Sequence, residues 1–312
     1  MSTAADAPPR SSSATSLDSV WPMVSARIAD YVSLSRPGIA LMVLVTVTVG
    51  YLLGQQGAWV TATLFHAWLG ITLVAAGSSA VNQWFERETD SLMNRTRDRA
   101  LPAKRLFPIE VLLIGNSCAL FGCIYLALTV NLLTAALTGL TFVLYAGVYT
   151  PLKRWTSLCT AVGAIPGALP PVLGWTAAGQ SLDLTAFALF GLLFFWQFPH
   201  FLAIAWLHRE DYLSAGLRML PGGRPLPRVT GLMATAYALG LVPISLVPAW
   251  LGVAGNLYAV TAILGGLVYI AAAIGFAHAE SRQSARRVLW ASLIYLPLVL
   301  AVLAADHVRL LQ

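Results

Sequence analysis

The chain has 312 residues, of which 58% are hydrophobic and only 10% carry a charged side chain, and its mean hydropathy is +0.73. A soluble domain carries about a quarter charged residues because water must wet its surface, so this composition excludes a soluble protein and predicts a surface that faces lipid. The net charge of +6 does not indicate a nucleic-acid-binding protein, because the basic residues fall in short loops between apolar stretches.

The N-terminal region, residues 1–30, is predicted to be a disordered cytoplasmic tail. Its first residues are rich in Ser, Ala and Pro and contain no apolar run. They therefore fit neither a cleaved signal peptide nor an arginine-rich transit peptide. Residues 31–312 are predicted to form one transmembrane domain.

Nine segments are apolar enough to cross a bilayer, which takes about 20 residues in a helix. In chain order they lie near residues 37–54, 64–86, 108–128, 130–149, 158–178, 184–207, 229–251, 255–277 and 287–305. In this arrangement 18 of the 19 Lys and Arg residues fall on one side, and only Arg309 falls on the other. Because cytoplasmic loops carry the excess of basic residues, we predict a cytoplasmic N-terminus and an external C-terminus.

Polar residues continue from the second span onto its cytoplasmic end. Asn82, Glu86 and Asp90 are four residues apart, and each step advances about 40° around a helix, so the three side chains line one face. One amide and two carboxylates suit Mg²⁺ beside substrate phosphates, and Arg95 and Arg99 follow closely enough to pair with phosphate oxygens. A plain charged loop is the alternative, but polar residues inside a span are costly unless they are used.

Two further span ends add polar residues to the same side. His200 and Asp211 end the sixth span, and on an unbroken helix they would lie roughly 16 Å apart along the axis. A lone histidine in a span is often only an interhelical hydrogen-bond partner, so both roles stay open for His200. Tyr149, Lys153 and Arg154 end the fourth span, where a plain membrane anchor remains an alternative for the two cations.

Together these motifs resemble the protohaem IX farnesyltransferase (haem O synthase) family of the intramembrane UbiA-type prenyltransferases. The resemblance runs from about residue 30 to the last span. It rests on Leu34-Ser-Arg36-Pro37, Asn82-x-x-x-Glu86-x-x-x-Asp90 with Met93-Asn-Arg95-Thr96-x-x-Arg99, Tyr149-Thr-Pro-Leu-Lys153-Arg154, and Trp196-Gln-Phe-Pro-His200-Phe with Arg209-Glu210-Asp211-Tyr212.

The resemblance implies an all-α membrane protein with a nine-helix bundle, with farnesyl diphosphate and haem B as substrates and Mg²⁺ as cofactor. It implies that Asn82, Glu86 and Asp90 hold the metal and that these three act in catalysis with His200 and Asp211. Substrate contacts are implied for the residues that flank them, namely Arg95, Arg99, Tyr149, Lys153, Arg154, Glu210 and Tyr212. Because the family's product, haem O, is the precursor of haem A, the implied protein partners are haem A synthase and assembly factors of terminal oxidases.

Two positions depart from the pattern of the wider superfamily. Glu86 stands where an aspartate is usual, and Glu210 and Asp211 are adjacent, where the superfamily has two aspartates four residues apart. The second departure argues against a second Mg²⁺ site of the superfamily's usual kind.

Three other functions are alternatives to the transfer of a farnesyl group to haem B. The chain could prenylate a quinone precursor or another tetrapyrrole, or it could bind haem in the membrane without catalysis. A secondary transporter is disfavoured, because the spans carry few charged residues away from their cytoplasmic ends. The predicted location is a bacterial plasma membrane, with the active site on the cytoplasmic side.

Overall fold

The computed structural model describes residues 17–55, 61–223 and 226–312, and within these ranges every regular element is a helix. The elements are α1 (Leu17–Leu34), α2 (Pro37–Gly54), α3 (Thr61–Ser91), α4 (Pro108–Thr129), α5 (Leu132–Phe142), α6 (Thr150–Leu152), α7 (Cys159–Ala168), α8 (Pro170–Ala177), α9 (Leu184–Leu207), α10 (Arg209–Ser214), α11 (Val229–Trp250), α12 (Asn256–His278) and α13 (Arg282–Leu310). A π-helical segment, Val143–Tyr149, joins α5 to α6, and a short 3-10 helix, Pro221–Gly223, lies between α10 and α11.

Eight helical stretches in the described part of the chain are long and apolar enough to cross a membrane. They are α2, α3, α4, the continuous stretch Leu132–Leu152, α9, α11, α12 and α13. These eight coincide with eight of the predicted segments. The remaining prediction, residues 158–178, forms the two shorter helices α7 and α8, so the count of nine continuous spans and the direction of the termini stay predictions.

The break between α7 and α8 falls at a pair of prolines. Pro170 and Pro171 lack the backbone N–H that would continue the helical ladder, which explains the interruption after Leu169. All eight residues of α8 are buried. An interrupted helix at this depth is tolerated because protein rather than lipid surrounds its backbone.

The prediction of a disordered tail is wrong for residues 17–30, which belong to helix α1, while residues 1–16 of that tail lie outside the described ranges. Two ion pairs hold this helix. Arg27 donates to both carboxylate oxygens of Glu110 at 3.0 Å, and Arg105 donates to both carboxylate oxygens of Asp30 at 3.0 Å. The lack of an apolar run in these residues predicted disorder, but hydrogen bonds with distant residues hold the segment as a helix.

Helices α2 and α8 pack with their backbones almost touching. A Cβ atom on Gly50 would overlap the carbonyl oxygen of Pro171, and one on Gly174 would overlap that of Val47. Only glycine fits at such a close approach. The interrupted segment is therefore clamped against the first span.

The substitution Gly50→Ala should destabilise the protein by about 1–3 kcal/mol, because the buried helix α8 cannot move away from the added methyl group. Thermal unfolding in detergent measures the change. Gly275→Ala is the matched control, since no atom lies within 4 Å of a Cβ added there. Equal unfolding temperatures for Gly50→Ala and the natural protein would contradict this packing.

Candidate active site

A cavity of about 200 Å³ lies where the ends of α3, α6 and α9 meet. Its charged lining consists of Arg36, Glu86, Asp90, Arg95, Arg99 and Lys153. Its uncharged polar lining consists of Tyr145, Tyr149, Thr160 and Tyr212. Its apolar lining consists of Met93, Phe201, Ile204, Ala205, Leu217 and Met219. The cavity therefore combines a concentrated set of charges with an apolar wall supplied largely by α9 and the segment after α10.

Both carboxylates of the cavity are buried and paired with a cation. Lys153 Nζ lies 2.6 Å from Glu86 Oε1, and Arg99 Nη1 lies 2.7 Å from Asp90 Oδ2. The side chain of Asp90 is only 1% exposed, yet its second oxygen, Oδ1, accepts no hydrogen bond from the described residues. Because a buried carboxylate oxygen without a partner is costly, this atom is suited to a cation or a donor that enters with a ligand.

Asn82 shares the face of α3 that carries Glu86 and Asp90, as predicted, but it does not line the cavity. Its Oδ1 accepts a hydrogen bond from Arg36 Nη2 at 3.1 Å, and its Nδ2 donates to Thr150 Oγ1 at 2.9 Å. The residue is fully buried. To ligate a metal as predicted, the amide oxygen would have to hold the ion directly beside the Arg36 guanidinium that already donates to it.

Arg36 is a cavity residue for which the sequence assigned no role. It precedes α2 in the left-handed region, at φ 48° and ψ 67°, and Pro37 begins the helix immediately after it. Burial alone would lower the pKa of Arg36, but the nearby carboxylates and tyrosine hydroxyls of the cavity together outweigh burial and raise the pKa. The sequence did contain an indication of this role. Arg36 stands immediately before Pro37, the first residue of a span, and both belong to a motif that carried the resemblance.

The π-helical segment Val143–Tyr149 brings the end of the fourth span to the cavity. A π turn inserts an extra residue into a helix and often occurs at functional sites. Lys153 Nζ lies 4.1 Å from the centroid of the Tyr149 ring, within the range of a cation–π contact. Burial opposes the charge on Lys153, but Glu86 and the neighbouring tyrosines together outweigh burial and raise the pKa of this ammonium group.

The cavity brings together seven of the predicted site residues, namely Glu86, Asp90, Arg95, Arg99, Tyr149, Lys153 and Tyr212. Four others besides Asn82 lie outside its lining: Arg154, His200, Glu210 and Asp211. Arg154 lines a separate shallow cavity and donates to the carbonyl oxygen of Phe85 at 3.4 Å.

The predicted alignment of His200 with Asp211 required one unbroken helix, and the structure does not have it. Helix α9 ends at Leu207, and α10 begins at Arg209. Asp211 lies 4.0 Å from His208, and the largely exposed Glu210 pairs with Arg209 at 3.1 Å. Of this motif, Tyr212 reaches the cavity.

His200 is held by a chain of hydrogen bonds that fixes its tautomer. Its Nδ1 lies 2.7 Å from Ser292 Oγ, and Ser292 Oγ donates its single proton to the carbonyl oxygen of Leu289 at 2.6 Å. If this proton goes to Leu289, Ser292 accepts from His200, and on that basis we assign the ring proton to Nδ1. Trp196 stacks on the ring with centroids 5.1 Å apart. Nε2 then carries a lone pair and makes no hydrogen bond to the described residues.

Comparisons with known proteins identify the family of the chain. A family model described as the UbiA prenyltransferase family matches residues 43–296. The chain belongs to the UbiA prenyltransferase family. This membership confirms the resemblance that the motifs indicated, and it makes the chain a prenyltransferase.

Two curated relatives are described as protoheme IX farnesyltransferase. The protein from Solibacter usitatus is 42% identical over 287 residues, which cover 89% of this chain and 98% of the relative. The protein from Koribacter versatilis is 41% identical over 296 residues, covering 92% of this chain and 96% of the relative. The UbiA similarity therefore extends over nearly the whole of each chain.

Solved structures support the fold. A digeranylgeranylglyceryl phosphate synthase superposes with a TM-score of 0.75 at 16% identity and covers 91% of this chain and 99% of its own. A UbiA homolog from Archaeoglobus fulgidus bound to DMAPP and Mg²⁺ gives a TM-score of 0.57 at 18% identity and covers 90% and 98%. The predicted all-α membrane fold is thereby confirmed.

Removing either member of the Glu86–Lys153 pair should destabilise the protein by about 3–5 kcal/mol, because it leaves a buried charge without its partner. The double variant Glu86→Gln/Lys153→Met should lose less than the sum of the single losses. Thermal unfolding of the four proteins gives the coupling.

The matched control for this cycle is Glu88→Gln, on the same helix, where the side chain is 69% exposed. Its stability should be nearly unchanged, as is usual for exposed ion pairs. Strictly additive losses for Glu86 and Lys153 would contradict a stabilising pair.

Proposed function

We propose that the chain transfers the farnesyl group of farnesyl diphosphate to a vinyl group of haem B, which yields haem O and diphosphate. The observation that carries the proposal is the cluster of buried cations and carboxylates in one cavity of a UbiA-family chain. The names of its two relatives support the choice of substrates, since this chain matches them over nearly their full length.

The charge of the cavity suits a diphosphate. Four cationic and two anionic side chains line it, which leaves two positive charges in excess. The cations are Arg36, Arg95, Arg99 and Lys153. Arginine binds phosphate oxygens through paired hydrogen bonds, and preorganised cations stabilise the negative charge that develops on a leaving group.

The carboxylates of the cavity fit Mg²⁺. We propose that Asp90 Oδ1, which accepts no hydrogen bond from the described residues, and the carboxylate of Glu86 hold the ion. When bound, Mg²⁺ would neutralise charge on the diphosphate oxygens. No group of three or more His, Cys, Asp or Glu among the described residues could hold a metal, so substrate oxygens and water would complete the ligand set.

Asn82 acts differently in this proposal. Its amide oxygen orients Arg36 and does not contact the metal. Arg36 in turn supplies one of the cations that receive the diphosphate. Asn82 is still needed for activity, because it holds Arg36 in place, and its buried hydrogen bonds to Arg36 and Thr150 stay intact.

The reaction then follows from the positions of the charges. The bond between the farnesyl carbon and the diphosphate oxygen breaks with both electrons on oxygen, where Arg95, Arg99 and Lys153 stabilise them. Phe201 lines the same cavity, and its aromatic ring can stabilise the allylic cation. The vinyl π electrons form the new carbon–carbon bond, and water adds to the resulting cation and loses a proton to give the hydroxyl group.

The size of the cavity limits what it holds. Pockets for drug-sized ligands are roughly 300–1,000 Å³, whereas this cavity is about 200 Å³. It therefore suits the diphosphate head, and the farnesyl chain and the haem extend beyond it along the apolar wall formed by Phe201, Ile204 and Leu217.

Membranes that contain the chain should form haem O from haem B, farnesyl diphosphate and Mg²⁺. Glu86→Gln and Asp90→Asn should each lower the rate about 10²–10³-fold, because charge stabilisation at the leaving group is lost. Asp90→Asn should also require a higher Mg²⁺ concentration. Pigment extraction followed by mass spectrometry measures the product.

Glu88→Gln again provides a matched control on α3, since its exposed side chain lies outside the cavity lining. Activity that survives both Glu86→Ala and Asp90→Ala would contradict the metal assignment. Prenylation of 4-hydroxybenzoate without any farnesylated haem would replace the haem substrate with a quinone precursor.

We further propose that His200 Nε2 contacts the haem iron. A histidine that donates one ring N–H to a fixed acceptor presents the other nitrogen as a metal ligand, and Ser292 provides that acceptor here. Haem B added to the purified protein should give the absorption spectrum of histidine-ligated iron. His200→Ala should change this spectrum while haem binding persists.

His66→Ala is the control for this measurement, because His66 pairs with Tyr125 and lies outside the cavity lining. Ser292→Ala should give an intermediate spectrum, since the ring keeps its nitrogen but loses its orientation. An identical Soret band in the natural protein and His200→Ala would refute the iron contact without affecting the proposed farnesyl transfer.

A further inference from the structure

Helix α1 exposes a stripe of large apolar side chains. Trp21 is 70% exposed, Val24 42%, Ile28 56% and Val32 52%. At about 100° per residue, these four positions occupy about 80° of the helix circumference. The stripe is therefore a continuous feature of one face.

The face beside this stripe is fixed to the rest of the protein. Tyr31 donates to Glu110 Oε1 at 2.7 Å, next to the paired hydrogen bonds from Arg27. The side chain of Leu34 is buried, and its carbonyl oxygen accepts from Gln83 Nε2 at 3.0 Å. These contacts prevent α1 from rotating about its axis, so the helix cannot turn its apolar stripe toward the rest of the protein.

The third face of α1 is small and polar. It carries Ser25, Ala26, Ala29 and Ser33, all of which are exposed. Helix α1 therefore has one face against protein, one apolar face and one face suited to water. This division is typical of a helix that lies in the plane of a membrane interface.

The apolar stripe continues into surfaces that face lipid. Only two residues separate α1 from the first span, α2, on which Ile39 and Leu41 are exposed. On α4, Ile109 and Leu113 are exposed on either side of Glu110, the residue that binds α1. Because α2 and α4 are membrane spans, lipid is the medium that covers these side chains.

We propose that α1 lies in the water–lipid interface of the leaflet beside the active site, with Trp21, Val24, Ile28 and Val32 inserted among the lipid chains. Tryptophan is enriched at this depth of a bilayer. Since Arg36 lies two residues after the end of α1 and lines the cavity, the same anchor positions a cation of the site. The proposal does not depend on the identity of the substrates.

Fluorescent labels at single cysteines test this position. In a chain whose Cys118, Cys123 and Cys159 are replaced by alanine, the environment-sensitive dye NBD is attached at Val24→Cys or Ile28→Cys. Ala26→Cys and Ala29→Cys are matched controls on the water-facing side of the same helix turns. The protein is reconstituted in vesicles of phosphatidylcholine and phosphatidylglycerol.

Labels at positions 24 and 28 should show blue-shifted emission that nitroxide-labelled lipids quench and aqueous iodide does not. Labels at positions 26 and 29 should show the opposite. Quenching of all four labels by iodide would place the stripe in water and overturn the proposal. Protection of positions 24 and 28 from both quenchers would also overturn it, because a protein surface or a second copy would then cover the stripe.

A charge within the stripe provides a second measurement. Ile28→Glu should decrease the lipid quenching of a label at position 24, whereas Ala29→Glu should leave it unchanged. Thermal unfolding of both variants verifies that the bundle remains folded. Equal lipid quenching in the two variants would contradict insertion of this face.

Discussion

Glu86 and Asp90 are carboxyl groups held away from bulk water at the end of a membrane helix, and each is paired with a cation from another part of the site. Lys153 reaches Glu86 from the end of the fourth span, and Arg99 reaches Asp90 from the loop after α3. Removing one partner of such a pair costs several kcal/mol because a buried charge is left alone. The two pairs therefore hold three segments together at one end of the bundle.

The same pairs also prepare the site for chemistry. Each cation that neutralises a carboxylate in the absence of substrate is also suited to a phosphate group, so the substrate would meet cations that are already desolvated and oriented. Asp90 Oδ1 accepts no hydrogen bond from the described residues, which leaves it able to take a metal ion. Asn82 lies outside the cavity lining, where its amide oxygen accepts a hydrogen bond from Arg36 and holds that side chain in place.

The bilayer accounts for the remaining architecture. Exposed leucines and phenylalanines along the spans need no protein partner, because lipid covers them, while irregular backbone must be enclosed by protein. The interrupted segment follows this rule, since all of α8 is buried between other elements. Helix α1 extends the rule to the interface, where one helix divides its faces among protein, lipid and water.

Local patterns in the sequence determined the eight long apolar helices, the common face of Asn82, Glu86 and Asp90, and the family. Hydrophobic length and the helical period act between residues that are close in the chain, so they can be read without a structure. The tertiary structure alone decided that α1 is ordered, that Arg36 enters the cavity and that His200 stays outside its lining. Each of these depends on contacts between residues far apart, such as Arg27 with Glu110, 83 positions away, and Arg36 with Asn82, 46 positions away. No periodicity encodes such contacts, because they exist only after the helices have packed.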